Sequence, residues 1–203
     1  MRWLKRRGPP RDTRPAEVPQ AAVERPRELR TPRLRLLPLA PDDVSALHKL
    51  WTAPGVRKYL WDDRVLRLEQ TRDLVMQSGY LHEQHGYGLW GAFDADGVMV
   101  GFCGFWFFRN EHELELLYGV DEAEWLKGYA REMAQAMVGY GFESLGLAEI
   151  RASTDAPNVA SQRVLKRLGF VADFERNAPS AKTVYFRLPR GRRDGAPLPA
   201  DAF

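Results

Sequence analysis

Two carboxylates, a glycine, an asparagine and a serine hold most of the chemistry this chain could do. Glu113 and Glu115 fall in the run ELELLYGV, which alternates in polarity and reads as a strand, so both side chains share one face. A carboxylate in such a place can act as a general base, directly or through one water, for a typical gain of ~100- to 10,000-fold. Glu115 is the first choice and Glu113 the reserve; the alternative is a solvated pair on an edge-facing strand. Eight residues after Val120, Gly128 opens a strongly patterned helix, YAREMAQAMVGYGF. A strand that delivers a helix N-terminus presents free backbone N–H groups and the positive end of the helix dipole, a site for a phosphorylated ligand. Glycine at that entry lets a ligand approach without a Cβ in the way. Further on, NVASQRVLKRLGF (158–170) follows Asp155-Ala156-Pro157. Proline forces an extended approach, Asn158 caps the helix, and Gly169 supplies its stop. In isolation, capping alone explains Asn158.

Two phosphate motifs are excluded. No GxxxxGK[ST] is present, and Gly128 stands alone where a dinucleotide fingerprint needs three glycines. Metal and thiol chemistry find no support either. The four histidines show no HExxH spacing, and the single Cys103, set in VGFCGFWFF, reads as a small buried hydrophobe. His82 and His85 read as solvated residues at a helix end.

The surrounding elements must position these groups. Arg33 to Leu39 alternates as a strand, and a helix runs from Asp42 to about Trp51 with apolar residues at helical spacing. GVRKYLWDD reads as a loop, followed by a helix from Glu69 to Glu83. Tyr87–Phe93 and Val98–Phe108 form a hairpin about the turn Asp94-Ala95-Asp96-Gly97. After the Glu113 strand and the Gly128 helix come a strand at Glu149–Ser153, the Asn158 helix, and a last hairpin of Phe170–Glu175 and Thr183–Leu188. The order β-α-α-β-β-β-α-β-α-β-β predicts an α+β fold: a single mixed, twisted β-sheet flanked by helices on both faces.

The 203 residues, 44% of them apolar, make one domain at about 30–190, between a Pro-rich basic arm at 1–29 and a tail at 191–203. Both ends read as disordered. Six basic residues against Asp12 give the first fourteen positions a charge of +5, which leaves −2 for the rest of the +3 chain. The arm could touch nucleic acid, but the body argues against a nucleic-acid module. No apolar stretch approaches a membrane span, so a cytoplasmic protein without membrane contact is expected.

Taken together, YGV ending a strand, KGYA opening a helix, and NxxS with LGF eleven residues beyond the asparagine resemble the GNAT superfamily of acyl-CoA-dependent N-acyltransferases. The resemblance covers about Leu29 to Arg190. The words LRTPRLRLLPL and TVYFRL are similar to the branch of ribosomal-protein N-terminal alanine acetyltransferases. It implies acetyl-CoA as co-substrate, no metal, and an amine acceptor, a peptide N-terminus or a small molecule; a homodimer is left open. Backbone groups from Tyr118 to Val120 would pair with the pantetheine arm. Amides of Leu126, Lys127, Gly128, Ala130 and Arg131 would hold the diphosphate, and Asn158 and Ser161 would contact the arm. A backbone N–H around Leu117 could polarise the thioester carbonyl. Arg57, Tyr59, Trp61, Asp62, Trp106 and Phe108 are candidates for the acceptor pocket.

The sequence departs from the family pattern at three places. Trp125 stands where Gln or Arg is usual, Leu126 where glycine is common, and Leu165 where many relatives carry the tyrosine that protonates the leaving thiolate. Ser161 or water would then serve, or the thiolate leaves unaided. These departures keep open a non-catalytic acyl-CoA sensor; separately, acidic groups such as Asp62, Asp63 and Glu113 leave open an aminoglycoside- or polyamine-modifying enzyme.

Overall fold

A computed structural model of the chain describes residues 26–107, 114–177 and 182–191. Glu113, Phe108, the first 25 residues and the end of the tail lie outside the described residues. Eight strands form one sheet in the order β1-β2-β3-β4-β5-β6-β8-β7. They are β1 (Leu29–Arg30), β2 (Arg35–Pro38), β3 (Leu89–Phe93), β4 (Met99–Phe107), β5 (Leu114–Val120), β6 (Glu149–Asp155), β7 (Val171–Asn177) and β8 (Lys182–Pro189). Only the β5–β6 pair is parallel; every other neighbour runs antiparallel. The mixed sheet expected from the order of elements is what forms.

Five helices cover it: α1 (Val44–Thr52), α2 (Pro54–Leu60), α3 (Leu68–His85), α4 (Tyr129–Glu143) and α5 (Val159–Arg167). Met133, Ala134 and Met137 of α4 and Leu165 of α5 pack with Cys103, Phe105, Leu116 and Ile150 in one cluster. Leu47, Leu50 and Trp51 of α1 and Leu74 and Val75 of α3 pack with Phe102 and Trp106 in the other. Alternation along each strand makes the division clean. In β5, Leu116 and Tyr118 face α4 and α5, whereas Glu115 and Leu117 face α1–α3.

Two elements differ from expectation. GVRKYLWDD is not a loop in its first half: α2 begins at Pro54, a residue suited to the first helical turn. Leu29–Arg30, at the edge of the supposed arm, pairs with β2 as a two-residue strand.

His82 is a correction. It is not solvated but turned inward, with Nε2 donating to the Leu89 carbonyl at 3.2 Å and the ring edge-on to Trp90 at 5.2 Å. α3 runs on to Gly86, and the chain then doubles back so that β3 closes over this last turn. Burial lowers the imidazole pKa from the ordinary 6.5 to about 4. On acidification the unfolded chain therefore takes up the proton first, and stability falls as pH drops below about 6.5 towards 4. We expect roughly 2 kcal/mol less stability at pH 5 than at pH 7.5 from this residue alone. Urea unfolding at the two pH values, with His82→Gln beside the parent, checks it; an equal acid loss in both proteins contradicts it.

Candidate active site

β5 is where the sheet opens. It pairs with β4 along its whole length, from Phe107↔Leu114 to Gly101↔Val120, but with β6 only at Glu115↔Arg151. Beyond Glu115 the two parallel strands diverge. Asp121 donates its amide to Val100 across β4, so by the two-residue alternation of the ladder Leu117 also turns its amide to β4. The amide of Tyr118 turns into the gap. The backbone N–H facing the gap is thus one residue on from Leu117, about which an oxyanion donor was expected. The Val120 carbonyl is already engaged, accepting from Trp125 Nε1 at 2.9 Å.

The gap leads to the N-terminus of α4. Gly128, its N-cap, has φ +87°, and Leu126 adopts φ +66° with its side chain wholly exposed. A non-glycine residue in the left-handed region costs roughly 1–2 kcal/mol, which explains why glycine is common at position 126 in the family pattern. Two left-handed residues so close together bend the chain sharply just before the helix. Trp125 (φ −63°, ψ 156°) and Leu126 make a turn that the Lys127 amide closes; among the described residues the amides of Leu126 and of Gly128 through Arg131 show no backbone acceptor, and the first helical amide engaged is that of Glu132, to the Gly128 carbonyl at 3.2 Å. Lys127 adds a cation, and its pKa is raised by the hydrogen bond to Glu124 at 2.8 Å.

The back of this loop is braced by residues the sequence reading did not single out. Arg33 donates to the Lys127 carbonyl at 2.8 Å and to Glu132 at 2.7 Å, and its guanidinium lies 4.6 Å from the Tyr129 ring centre. Thr31 donates to the other Glu132 oxygen at 2.7 Å. Burial pushes the Glu132 carboxyl up, but these hydrogen bonds outweigh it and hold its pKa below the ordinary value. A carboxylate so close to an anion site is neutralised by Arg33. Trp125 braces the front: Glu122 accepts from the Gly55 amide at the start of α2, and a Cβ on Gly55 would lie 2.4 Å from Trp125 Cη2. The tryptophan that departs from the family pattern therefore packs the loop before α4 against the start of α2.

On the α1–α3 face, Glu115 is only 6% exposed, so it is no edge-strand surface carboxylate. Ser153 of β6 donates to its Oε2 at 2.5 Å. Trp106 sits directly across β4 from it. On the other face, Tyr118 Oη lies 2.8 Å from Ser161 Oγ and 3.2 Å from the Ser161 carbonyl. Asn158 acts as the N-cap of α5, accepting from the Ser161 amide at 3.2 Å. The structure thus joins Tyr118, Ser161 and Asn158 on one face of the sheet and sets Glu115 with Ser153 on the other, while the 126–131 amides lie at the entry to α4. Trp61 and Trp106 belong to the core, Trp61 edge-on to Trp51 at 5.0 Å. Arg57 pairs with Asp63 at 3.4 Å at the end of α2.

The family model described as an acetyltransferase (GNAT) domain matches residues 33–171. The chain belongs to the GNAT acetyltransferase family. This GNAT chain is 30% identical over 145 residues to the N-acetyltransferase p20 of Bacillus licheniformis, a match covering 70% of this chain and 81% of that one. It is 32% identical over 158 residues to the FsC-acetyl coenzyme A-N(2)-transacetylase of Aspergillus fumigatus, covering 70% and 63%. In fold it is similar to RimL, a ribosomal L7/L12 α-N-protein acetyltransferase solved with coenzyme A, with a TM-score of 0.67 at 19% identity over 78% of this chain and 95% of that one. As a member of this family the protein is an acyltransferase.

Proposed function

We propose that residues 30–190 transfer an acetyl group from acetyl-CoA to a primary amine by direct attack on the thioester, the acceptor being a protein N-terminal α-amine. The observation that carries this is the set of five amides, Leu126 and Gly128 to Arg131, that show no backbone acceptor among the described residues, beside the gap between β5 and β6. A helix N-terminus backed by Lys127 fits a diphosphate. The Tyr118 amide and the Asn158 side chain line the gap where an extended pantetheine arm would lie as an added strand. Glu115 then faces the acceptor side and takes the amine proton.

An α-amine suits this site. At pH 7.5 an amine of pKa ~7.8 is about one-third neutral, whereas a lysine of pKa ~10.4 is only about 0.1% neutral, a difference of roughly 3–4 kcal/mol before any chemistry. The structural neighbour RimL, an α-N-protein acetyltransferase of a ribosomal protein, supports a protein α-amine as acceptor and a cytoplasmic setting. A second reading is a small-molecule amine as acceptor; the Aspergillus relative, an FsC N(2)-transacetylase by name, is not named for a protein N-terminus.

A thiol-release assay with acetyl-CoA separates these. Peptides with a free N-terminus should be turned over at pH 7.5, and the same peptides blocked at the α-amine but carrying lysine should not. Turnover of polyamines, aminoglycosides or amino acids in place of peptides would favour the second reading. No thiol release with any amine would overturn the proposal.

A further inference from the structure

Position 165 offers no hydroxyl to the leaving sulfur, since Leu165 is 1% exposed and packed in the core. A hydroxyl pair nevertheless sits one helical turn earlier. Tyr118 crosses from β5 to the first turn of α5, placing Oη 2.8 Å from Ser161 Oγ and 3.2 Å from the Ser161 carbonyl. This pair lies on the α4–α5 face, and Glu115 lies on the opposite face of the same strand, three residues away. A base on one side of the gap and a hydroxyl pair on the other is the arrangement an acyl transfer through the gap requires.

We propose that Tyr118 is a positioning residue of the reaction: its hydroxyl holds Ser161 so that the serine proton faces the departing sulfur. The assignment rests on the acetyl-CoA reading above. The acceptor nitrogen forms the C–N bond and the C–S bond breaks, with its electron pair moving onto sulfur. The amine proton passes to Glu115, Ser161 donates a hydrogen bond to the developing thiolate, and the thiolate takes its proton from water after release. Two features suit Tyr118 to orient rather than to ionise. Of the two acceptors within reach its single proton can go to the nearer, Ser161 Oγ at 2.8 Å rather than the Ser161 carbonyl at 3.2 Å, which leaves the serine proton for the sulfur, and a chained pair polarises each member. Burial also raises its pKa to about 12, although the Ser161 hydrogen bond opposes this, so the phenol keeps its proton throughout the working range.

The test compares two acyl donors, acetyl-CoA and its selenoester analogue, whose selenolate leaves readily without a hydrogen bond. For Tyr118→Phe we expect kcat with acetyl-CoA to fall about 10- to 100-fold. KM for acetyl-CoA and the calorimetric affinity for CoA should stay within about 2-fold, as expected when only a transition-state interaction is lost. With the selenoester the variant should approach the parent. Ser161→Ala should show the same donor dependence, and the double variant should be no worse than Ser161→Ala alone. Equal losses with both donors, no loss with either, or additive losses in the double variant overturn the assignment while acetyl transfer itself stands. A parent protein that releases no thiol overturns the acetyl-CoA reading, and this assignment with it.

Discussion

Glu115→Gln is expected to lower kcat for acetyl transfer to an α-amine about 100- to 10,000-fold at pH 7.5, the span typical of a lost general base. The variant is close to isosteric and can still accept the Ser153 hydrogen bond, so the walls of the gap stay in place. The acyl donor should bind as before, which places the loss in the chemical step. Raising the pH should recover part of the rate, because the acceptor amine, of pKa ~7.8, then sheds its own proton. Turnover equal to the parent from pH 6 to 9 would remove Glu115 from the mechanism.

The second large effect concerns Gly128. Its φ of +87° excludes a β-branched residue, while a Cβ there would meet nothing closer than Arg33 Nη2 at 3.4 Å, an ordinary contact. The penalty in Gly128→Val is therefore one of backbone conformation, and the loop relieves it by rotating its amides out of alignment. Losing one or two charge-assisted hydrogen bonds, worth about 1.5–3 kcal/mol each, should weaken CoA binding roughly 10- to 10,000-fold. Asparagine tolerates the left-handed region, so Gly128→Asn should bind within a few-fold of the parent. Calorimetric titration of the three proteins decides this; equal affinity for valine and glycine would contradict it.

Much of this site was legible in the sequence because its parts are local. The Gly128 helix entry, the Asn158 cap and the Gly169 stop are each set by a few neighbouring residues, and each forms where expected. Alternation in ELELLYGV put Glu115 on a strand face, and the order of elements gave a mixed sheet. What stayed hidden depends on contacts between distant segments. α2 is seven residues long and buries only Val56, too little for a periodic stripe; its N-terminus is held by Glu122 and Trp125. Ser153 reaches Glu115 across 38 positions, and Arg33 reaches Glu132 across 99. His82 looked like an exposed helix-end residue, because nothing near it in sequence shows that β3 folds over it. The divergence of β5 from β6, which creates the gap, is likewise a property of pairing register.

The central claim is that the Leu126–Arg131 amides bind a diphosphate, and comparing CoA with pantetheine tests it most directly. The two share the arm that would lie along β5, but pantetheine lacks the diphosphate and nucleotide. Calorimetry on the full chain should show CoA binding at least about 100-fold more tightly, as expected when two charge-assisted hydrogen bonds are added. Equal affinities, or no measurable binding of CoA, would contradict it.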